Sequence, residues 1–566
     1  MRISTGTLVL KRLRISVALV ATVSIGACAG GNGGMPRIAA DTAAMPAAQQ
    51  VASVTIDADS PALATVDKDV FGVNLTTSMG LTKQYTGQPY YSTMIKTFRN
   101  AKFGMVRAPL ALLSDYYHWK TNSFSSCVAK KWNLISRTTF DGFMQDVAQP
   151  LGLDVNITVN YGSNATCTSG GDPNEAAAWV DYANNQMHYG IKHWTIGNEM
   201  YYGSRTIGKT CCTTPDFYVP LDAPPAKYSA TYARLVAAKF YPLMKAKDPT
   251  IKIGVDLVAP ENNVDQITQV WDQTVLSKAK FDFVEVHWYP GKSGISDEYL
   301  LTKGVSYVTS AITKLRSELA AAGKPHTPIF LGEWGVPGSS NPQWISIVGA
   351  LFTAMVLGEV NKGGIGMAGD WEGFDSGPCN QSPPGYYTKQ TWNTPSLFEA
   401  IQGGYNPACP SDPQPPLGTA FPRASATEVA ERAFREGDTM FAPTLQQPGK
   451  TLRAYGARRS NGYGVLLVNI DKKHAVAMTV TLENDSRTFS ASRLFYGKAQ
   501  YDNSKDNVWT APVFQSLGSV SGTFCVTLPP WSATAITLDQ SVRRRNAIAL
   551  HPSACTRSTT SRSETQ

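Results

Sequence analysis

At 566 residues the chain is longer than an average single domain, and its formal net charge of +8 is confined to its two ends. Arg2, Lys11, Arg12 and Arg14 stand near the start, and five arginines opposed by Glu564 follow residue 540, so the stretch between is neutral. A neutral body offers no basic surface for nucleic acid, and the aromatic content of 10% suits ring stacking and core packing alike.

Residues 1–28 join a basic start to an apolar run, 15–25, that is too short to span a bilayer, and they read as an export signal. Ile25-Gly26-Ala27-Cys28 resembles a bacterial lipoprotein box, so a lipid anchor on Cys28 is the expected membrane link, with ordinary cleavage nearby as the alternative. The expected location is periplasmic, outer-membrane-anchored or extracellular. The Gly/Ala-rich segment 29–50 reads as a flexible linker. Export permits disulfides among the remaining cysteines. Cys127 and Cys167 fall in loops after successive strands, Cys379 and Cys409 bracket a Pro/Gly-rich excursion, and Cys211-Cys212 is a vicinal pair.

Residues 51–400 alternate short apolar runs with helical spacing. The strand candidates are 71–75, 105–110, 154–160, 193–199, 251–256, 283–289, 329–335 and 364–371, and clear helical spacing follows at 174–189, 226–245, 298–322 and 342–360. Eight such units predict an α/β fold, a closed (β/α)8 TIM barrel. An open doubly wound sheet is the rival, and the chain lacks the glycine-rich phosphate loops that often follow a strand there. Residues 51–56 read as a lone strand lent to the C-terminal domain. From 401 to 540, period-two runs at 465–469, 478–482, 525–529 and 533–538 predict an antiparallel β-sandwich with turns at 460–462 and 484–485. The basic, Ser/Thr-rich tail 541–566 is expected to be disordered.

Two strand candidates end in a carboxylate: His193-Trp194-Thr195-Ile196-Gly197-Asn198-Glu199 and Ile329-Phe330-Leu331-Gly332-Glu333-Trp334-Gly335. In a parallel barrel the strand C-termini converge on one face, so Glu199 and Glu333 can meet across a pocket. Glycoside cleavage needs such a pair, one acid to protonate the departing oxygen and one anion to meet the charge developing at the anomeric carbon.

These residues resemble the clan of retaining glycoside hydrolases with (β/α)8 barrels, whose acid/base is the Glu of an Asn-Glu pair after the fourth strand and whose nucleophile follows the seventh. Glu199 stands fourth and Glu333 seventh in the strand count. Arg107 after the second strand and His287-Trp288-Tyr289 after the sixth match the clan's arginine and His-x-Tyr. The segment 106–119, Asn160-Tyr161-Gly162 and Ile196-Gly197-Asn198-Glu199-Met200 look most like the α-L-arabinofuranosidase families and their β-xylosidase and β-glucuronidase relatives. Two positions depart from that pattern: the first strand reads Phe71-Gly72-Val73-Asn74-Leu75-Thr76 where an acid is usual, and Ala108-Pro109-Leu110 replaces Pro-Gly-Gly.

The resemblance implies Glu333 as nucleophile, kept ionised by Arg107 and oriented by Tyr289, and Glu199 as acid/base. Asn198 and Asn160 would bind substrate, His287 another hydroxyl, and Trp371 would floor a sugar ring. For His287 and Trp371 the alternatives are a bond to buried carbonyls and plain packing. The expected function is retaining hydrolysis of a plant or microbial polysaccharide or oligosaccharide by an exo-acting α-L-arabinofuranosidase-like enzyme, with β-xylosidase, β-glucuronidase or endo-glycanase as alternatives. The expected partner is a carbohydrate substrate. A non-catalytic glycan binder would typically lose one acid, and a metal-dependent hydrolase would need clustered ligands, whereas only His287 among the seven histidines ends a barrel strand as a candidate. No cofactor or metal is expected.

Overall fold

The computed structural model describes residues 50–75, 88–109, 112–132, 136, 138–202, 216–220, 223–260, 266–292, 294–338, 341–374, 396–398, 418–447, 449–506 and 508–540. The leader with Cys28, the linker before residue 50, Cys211-Cys212, Cys379, Cys409 and the tail lie outside the described residues.

Eight parallel strands close into a barrel: Gly72–Asn74, Met105–Ala108, Asp154–Val159, His193–Ile196, Lys252–Val258, Phe283–Trp288, Ile329–Trp334 and Met367–Asp370. These are the eight segments predicted, most of them ending one to three residues earlier than expected. Neighbouring strands and the ring of helices bury both faces, so the strands read as continuous apolar runs. Met105–Ala108, Phe283–Trp288 and Ile329–Trp334 are buried at every position.

Strand alternation sorts the barrel interior into layers. Met105, Phe283, Phe330 and Met367 form a separate apolar cluster at the N-terminal ends of their strands. Two residues further along the same faces stand Arg107 and Glu285, and two beyond Glu285 stands His287. Polar chemistry is therefore stacked above an apolar floor.

Among the described residues the other strands form three further sheets, a two-stranded one of Tyr117–His118 and Ser123–Phe124 and two larger ones in the C-terminal domain. Leu452–Arg459 and Gly462–Asn469 make a hairpin with a two-residue Ser460-Asn461 turn, and Gly462–Asn469 pairs in turn with Ser532–Gln540. The opposing sheet contains Gln50–Asp57, which runs antiparallel to Thr444–Gln446 but parallel to Val476–Glu483. That N-terminal strand thus joins the C-terminal domain, and its parallel pairing departs from the wholly antiparallel sandwich expected. Helix Ile347–Lys362 is apolar nearly all round because it packs against helices Val305–Ala321 and Pro422–Ala433 as well as sandwich strands.

Candidate active site

Glu333 lies at the end of the seventh barrel strand, where the pairing slips. Val286 pairs with Leu331 but His287 pairs with Glu333, so Gly332 is the extra residue of a bulge. Only glycine fits there: a Cβ on residue 332 would lie 2.2 Å from Glu285 Oε1. Asn74 fastens the bulge by donating Nδ2–H to Gly332 O at 2.9 Å and Gly369 O at 3.1 Å. The amide of Asn74 thus staples strands one, seven and eight.

Arg107 is buried at 1% exposure and spends its guanidinium on four partners. Nη1 donates to Glu333 Oε1 at 3.0 Å and Asn74 Oδ1 at 3.1 Å, Nη2 donates to Asn198 Oδ1 at 2.8 Å, and Nε lies 2.6 Å from Glu285 Oε1. Tyr289 donates its hydroxyl to Glu333 Oε2 at 3.1 Å, so both carboxylate oxygens are held. Burial raises the proton affinity of Glu333 and Glu199 adds to it, while His287 and Arg107 pull it back; the net direction is upward from the ordinary carboxylate value.

His287 bridges the carboxylates. Nδ1 lies 3.0 Å from Glu199 Oε1 and 3.6 Å from Glu333 Oε1, and Nε2 lies 3.1 Å from Glu285 Oε1. Burial opposes its charge, but Glu333, Glu199 and Glu285 outweigh burial and push it up to about 10, so it is an imidazolium donating from both nitrogens. Both ring nitrogens thus face carboxylates. Because the folded value exceeds the ordinary 6.5, its stabilising contribution is complete below pH 6.5 and is lost as pH rises toward 10. His287→Gln should therefore flatten the fall in melting temperature between pH 6.5 and 10, checked by thermal denaturation across that window.

Glu199 reaches the same point from a left-handed turn beyond the fourth strand. Gly197 has φ 76° and Glu199 itself φ 51°, an unfavourable angle for a side-chain-bearing residue that the surroundings must impose. Asp115, fully buried, imposes it by accepting the Asn198 N–H at 2.9 Å and the Tyr161 N–H at 3.1 Å. The Glu199 side chain keeps 24% exposure against 7% for Glu333, and Tyr201 donates its hydroxyl to Glu199 Oε1 at 3.2 Å. Donor atoms of Glu199, His287 and Glu333 all lie within 4.8 Å of one another. Such a trio has the spacing to hold a cation, but the Arg107 guanidinium and the His287 imidazolium already supply the positive charge that the two acids face.

An α-L-arabinofuranosidase from Thermotoga maritima, in arabinose complex, superposes with TM-score 0.61 at 16% identity, over 86% of this chain and 100% of that one. A GH51 arabinofuranosidase from Xanthomonas axonopodis pv. citri gives 0.61 at 16% identity with the same coverage, and a Paenibacillus polymyxa xyloglucanase of glycoside hydrolase family 44 gives 0.55 at 12%, over 87% and 100%. The fold is that of the (β/α)8 glycoside hydrolases. No protein-family model and no curated protein sequence matches the chain.

The sequence-predicted residues do not all converge. Arg107, Asn198, Glu199, His287, Tyr289 and Glu333 form one bonded cluster. Asn198 keeps its Nδ2 buried without a hydrogen-bond partner. Asn160 is committed elsewhere: Nδ2 donates to Ser163 O at 2.9 Å and Tyr117 O at 3.3 Å, and Oδ1 accepts from Ser163 N at 3.1 Å, so it anchors its own loop. Trp371, half-buried just past the eighth strand, donates its N–H to Trp334 O, and its carbonyl accepts from Arg423 Nη1, both at 3.0 Å. Arg423 comes from helix Pro422–Ala433, outside the barrel, and also pairs with Asp370 and covers the Trp344 ring.

Glu285, Asp115 and Asn74 were not foreseen. For Glu285 the signal existed, since it lies two residues before His287 in one strand and must share its face. Despite burial, which raises it, Arg107 and His287 hold Glu285 below the ordinary carboxylate range. Cys127 and Cys167 form the disulfide expected between their loops, and Cys525 is disulfide-bonded as well.

Proposed function

We propose that the protein is a retaining exo-acting glycosidase that removes α-L-arabinofuranosyl groups. The observation that carries the mechanism is the approach of the two carboxylates: oxygens of Glu199 and Glu333 lie within 4.8 Å. Retaining pairs stand roughly 5 Å apart, whereas inverting pairs need about 6.5–9.5 Å to admit a water. In the first step Glu333 attacks the anomeric carbon as Glu199 gives its proton to the leaving oxygen. In the second, Glu199 takes a proton from water, which displaces Glu333. Arg107 and Tyr289 steady the Glu333 carboxylate through both oxygens. Asn198, held by Arg107 through Oδ1, offers its unpartnered Nδ2–H to the hydroxyl beside the reacting carbon. Trp371 supplies the floor of the sugar site.

The choice of sugar follows from the sequence likeness near Arg107 and Asn160 and from arabinofuranosidases among the structural neighbours. A second reading, an endo-glycanase, is favoured by the glucanase-xylanase and xyloglucanase that share the fold. A panel of chromogenic aryl glycosides separates them: release from aryl α-L-arabinofuranoside is expected, and cleavage of aryl β-pyranosides with no furanosidase activity would overturn the first reading. NMR of the first-formed product should show the starting anomeric configuration, and an inverted anomer would remove the double displacement. Export, with lipidation at Cys28, belongs to the same proposal, supported by the Cys127–Cys167 disulfide. Among the described residues no helix is long and apolar enough to cross a membrane.

A further inference from the structure

Beneath the two acids lies a third carboxylate that takes no part in the bond changes described above. Glu285 stands in the middle of the sixth barrel strand, Phe283–Trp288, and has no exposed surface. Strand alternation puts it on the same face as His287 and one layer above Phe283 of the apolar floor. Several strands meet at its carboxylate. Oε1 lies 2.6 Å from Arg107 Nε of the second strand and 3.1 Å from His287 Nε2 of its own. Oε2 accepts the hydroxyl proton of Thr195 from the fourth strand, and Thr195 in turn accepts from Asn156 Nδ2 of the third at 3.2 Å. The bulge that carries Glu333 is fitted around the same side chain, since a Cβ on Gly332 would also meet Glu285 Cγ and Cδ at 2.6 Å.

Asp256, the register partner of Glu285 on the fifth strand, faces it as well. Burial, followed by the nearby Glu285 charge, raises Asp256 well above the ordinary carboxylate range, so it is neutral beside an ionised Glu285. The charges that Glu285 meets are therefore the two cations, Arg107 and His287. A buried ion cluster of this kind is a poor device for stability, because replacing one with well-packed apolar side chains is often neutral or stabilising. The layer below, Met105, Phe283, Phe330 and Met367, shows this barrel filled in that way. What the carboxylate supplies is fixed placement of charge.

In the first step of the proposed reaction, negative charge leaves Glu333, which becomes an ester, and appears on Glu199, which has given its proton to the leaving oxygen. His287 Nδ1, 3.0 Å from Glu199 Oε1 and 3.6 Å from Glu333 Oε1, faces that charge before and after the transfer. It meets the charge as a cation only while both ring nitrogens are protonated, and an anion at Nε2 keeps them so. We propose that Glu285 is the positioning residue of this site: it anchors the Arg107 guanidinium and holds the His287 imidazolium, charged, between Glu199 and Glu333 as the negative charge passes from one to the other. Its part in the reaction rests on the hydrolytic reading, whereas its hold on His287 stands on geometry alone.

The test is Glu285→Gln, of equal size and without charge, with Glu285→Asp as the variant that keeps the charge. Ring-nitrogen NMR of the full chain with isotope-labelled histidine, the His287 signal being assigned through His287→Gln, reads the protonation directly. In the unmutated protein His287 should be doubly protonated at pH 8, between the ordinary 6.5 and the raised value of about 10. In Glu285→Gln its titration should move down by about 1–3 pH units, and Glu285→Asp should restore most of that shift. On an aryl glycoside Glu285→Gln should lower kcat about 10²-fold with KM little changed, and the alkaline limb of the kcat profile should move down together with the His287 titration. A purely structural role would lower kcat or the melting temperature without moving that limb. A neutral His287 ring at pH 8 in the unmutated protein would overturn the proposal without recourse to any variant, as would an unmoved His287 titration in folded Glu285→Gln. If glycosides are cleaved and the titration does not move, only the role of Glu285 falls. If no glycoside is cleaved but the titration moves as stated, the hold of Glu285 on His287 stands and the glycosidase reading falls.

Discussion

Glu333→Ala should abolish turnover, with kcat falling on the order of 10⁶-fold, the scale seen when a covalent hydrolase loses its nucleophile. The structure adds a specific expectation to that loss. Removing the carboxylate leaves the Arg107 guanidinium and the His287 imidazolium facing an empty volume with no anion between them, since Glu333 Oε1 now lies 3.0 Å from the first and 3.6 Å from the second. A small anion should settle there. Azide added to Glu333→Ala should therefore attack the anomeric carbon of an activated aryl glycoside from the vacated side, in a single displacement. The product should be a glycosyl azide of inverted configuration, formed at a rate that saturates with azide and is read by NMR and mass spectrometry. Retained azide product, or turnover within tenfold of the unmutated protein without azide, would take the nucleophile away from Glu333.

The barrel was legible because its strands obey a simple rule. Strands covered on both faces are short apolar runs, and each of the eight predicted segments became a barrel strand. The acids were legible because they break that rule: a carboxylate ending an apolar run has nowhere to go but the rim. What the sequence hid is the layer beneath. Glu285 reads as an interruption in 283–289 until the barrel closes and brings Arg107 Nε to 2.6 Å from it, a partner 178 positions away in the chain. Asn74 reads as a missing acid, and its role as a staple depends on carbonyls of strands seven and eight. Asp115 sits in the short 3-10 turn Leu112–Tyr116, which has no periodic signal, and only the fold shows it accepting the backbone N–H of Asn198. Asn160 is ambiguous for the complementary reason: an amide at a strand end is equally suited to a sugar hydroxyl and to its own loop, and here it bonds Ser163 of that loop. The slip that pairs His287 with Glu333 arises from Gly332, whose need for space beside Glu285 cannot be read from one strand alone.

Glu199→Ala should behave differently from the loss of Glu333, and the difference depends on the leaving group. General acid catalysis contributes roughly 10²- to 10⁴-fold, so natural oligosaccharides and alkyl glycosides, whose departing oxygen needs a proton, should lose about that much in kcat/KM. A nitrophenyl glycoside leaves without help, and its kcat/KM should stay within about tenfold because the first step no longer depends on Glu199. The second step does depend on it. With no base to activate water, the glycosyl-enzyme on Glu333 should accumulate, giving a burst of phenolate, a lowered KM and a slow steady state. The partial exposure of the Glu199 side chain, 24%, places the gap left by alanine on the solvent side of the pocket, open to an external nucleophile. Azide should enter there, restore turnover and yield a glycosyl azide of retained configuration, opposite to the product expected from Glu333→Ala. Equal losses on aryl and alkyl substrates, with no burst and no azide effect, would show that Glu199 is only a neighbour of the reaction.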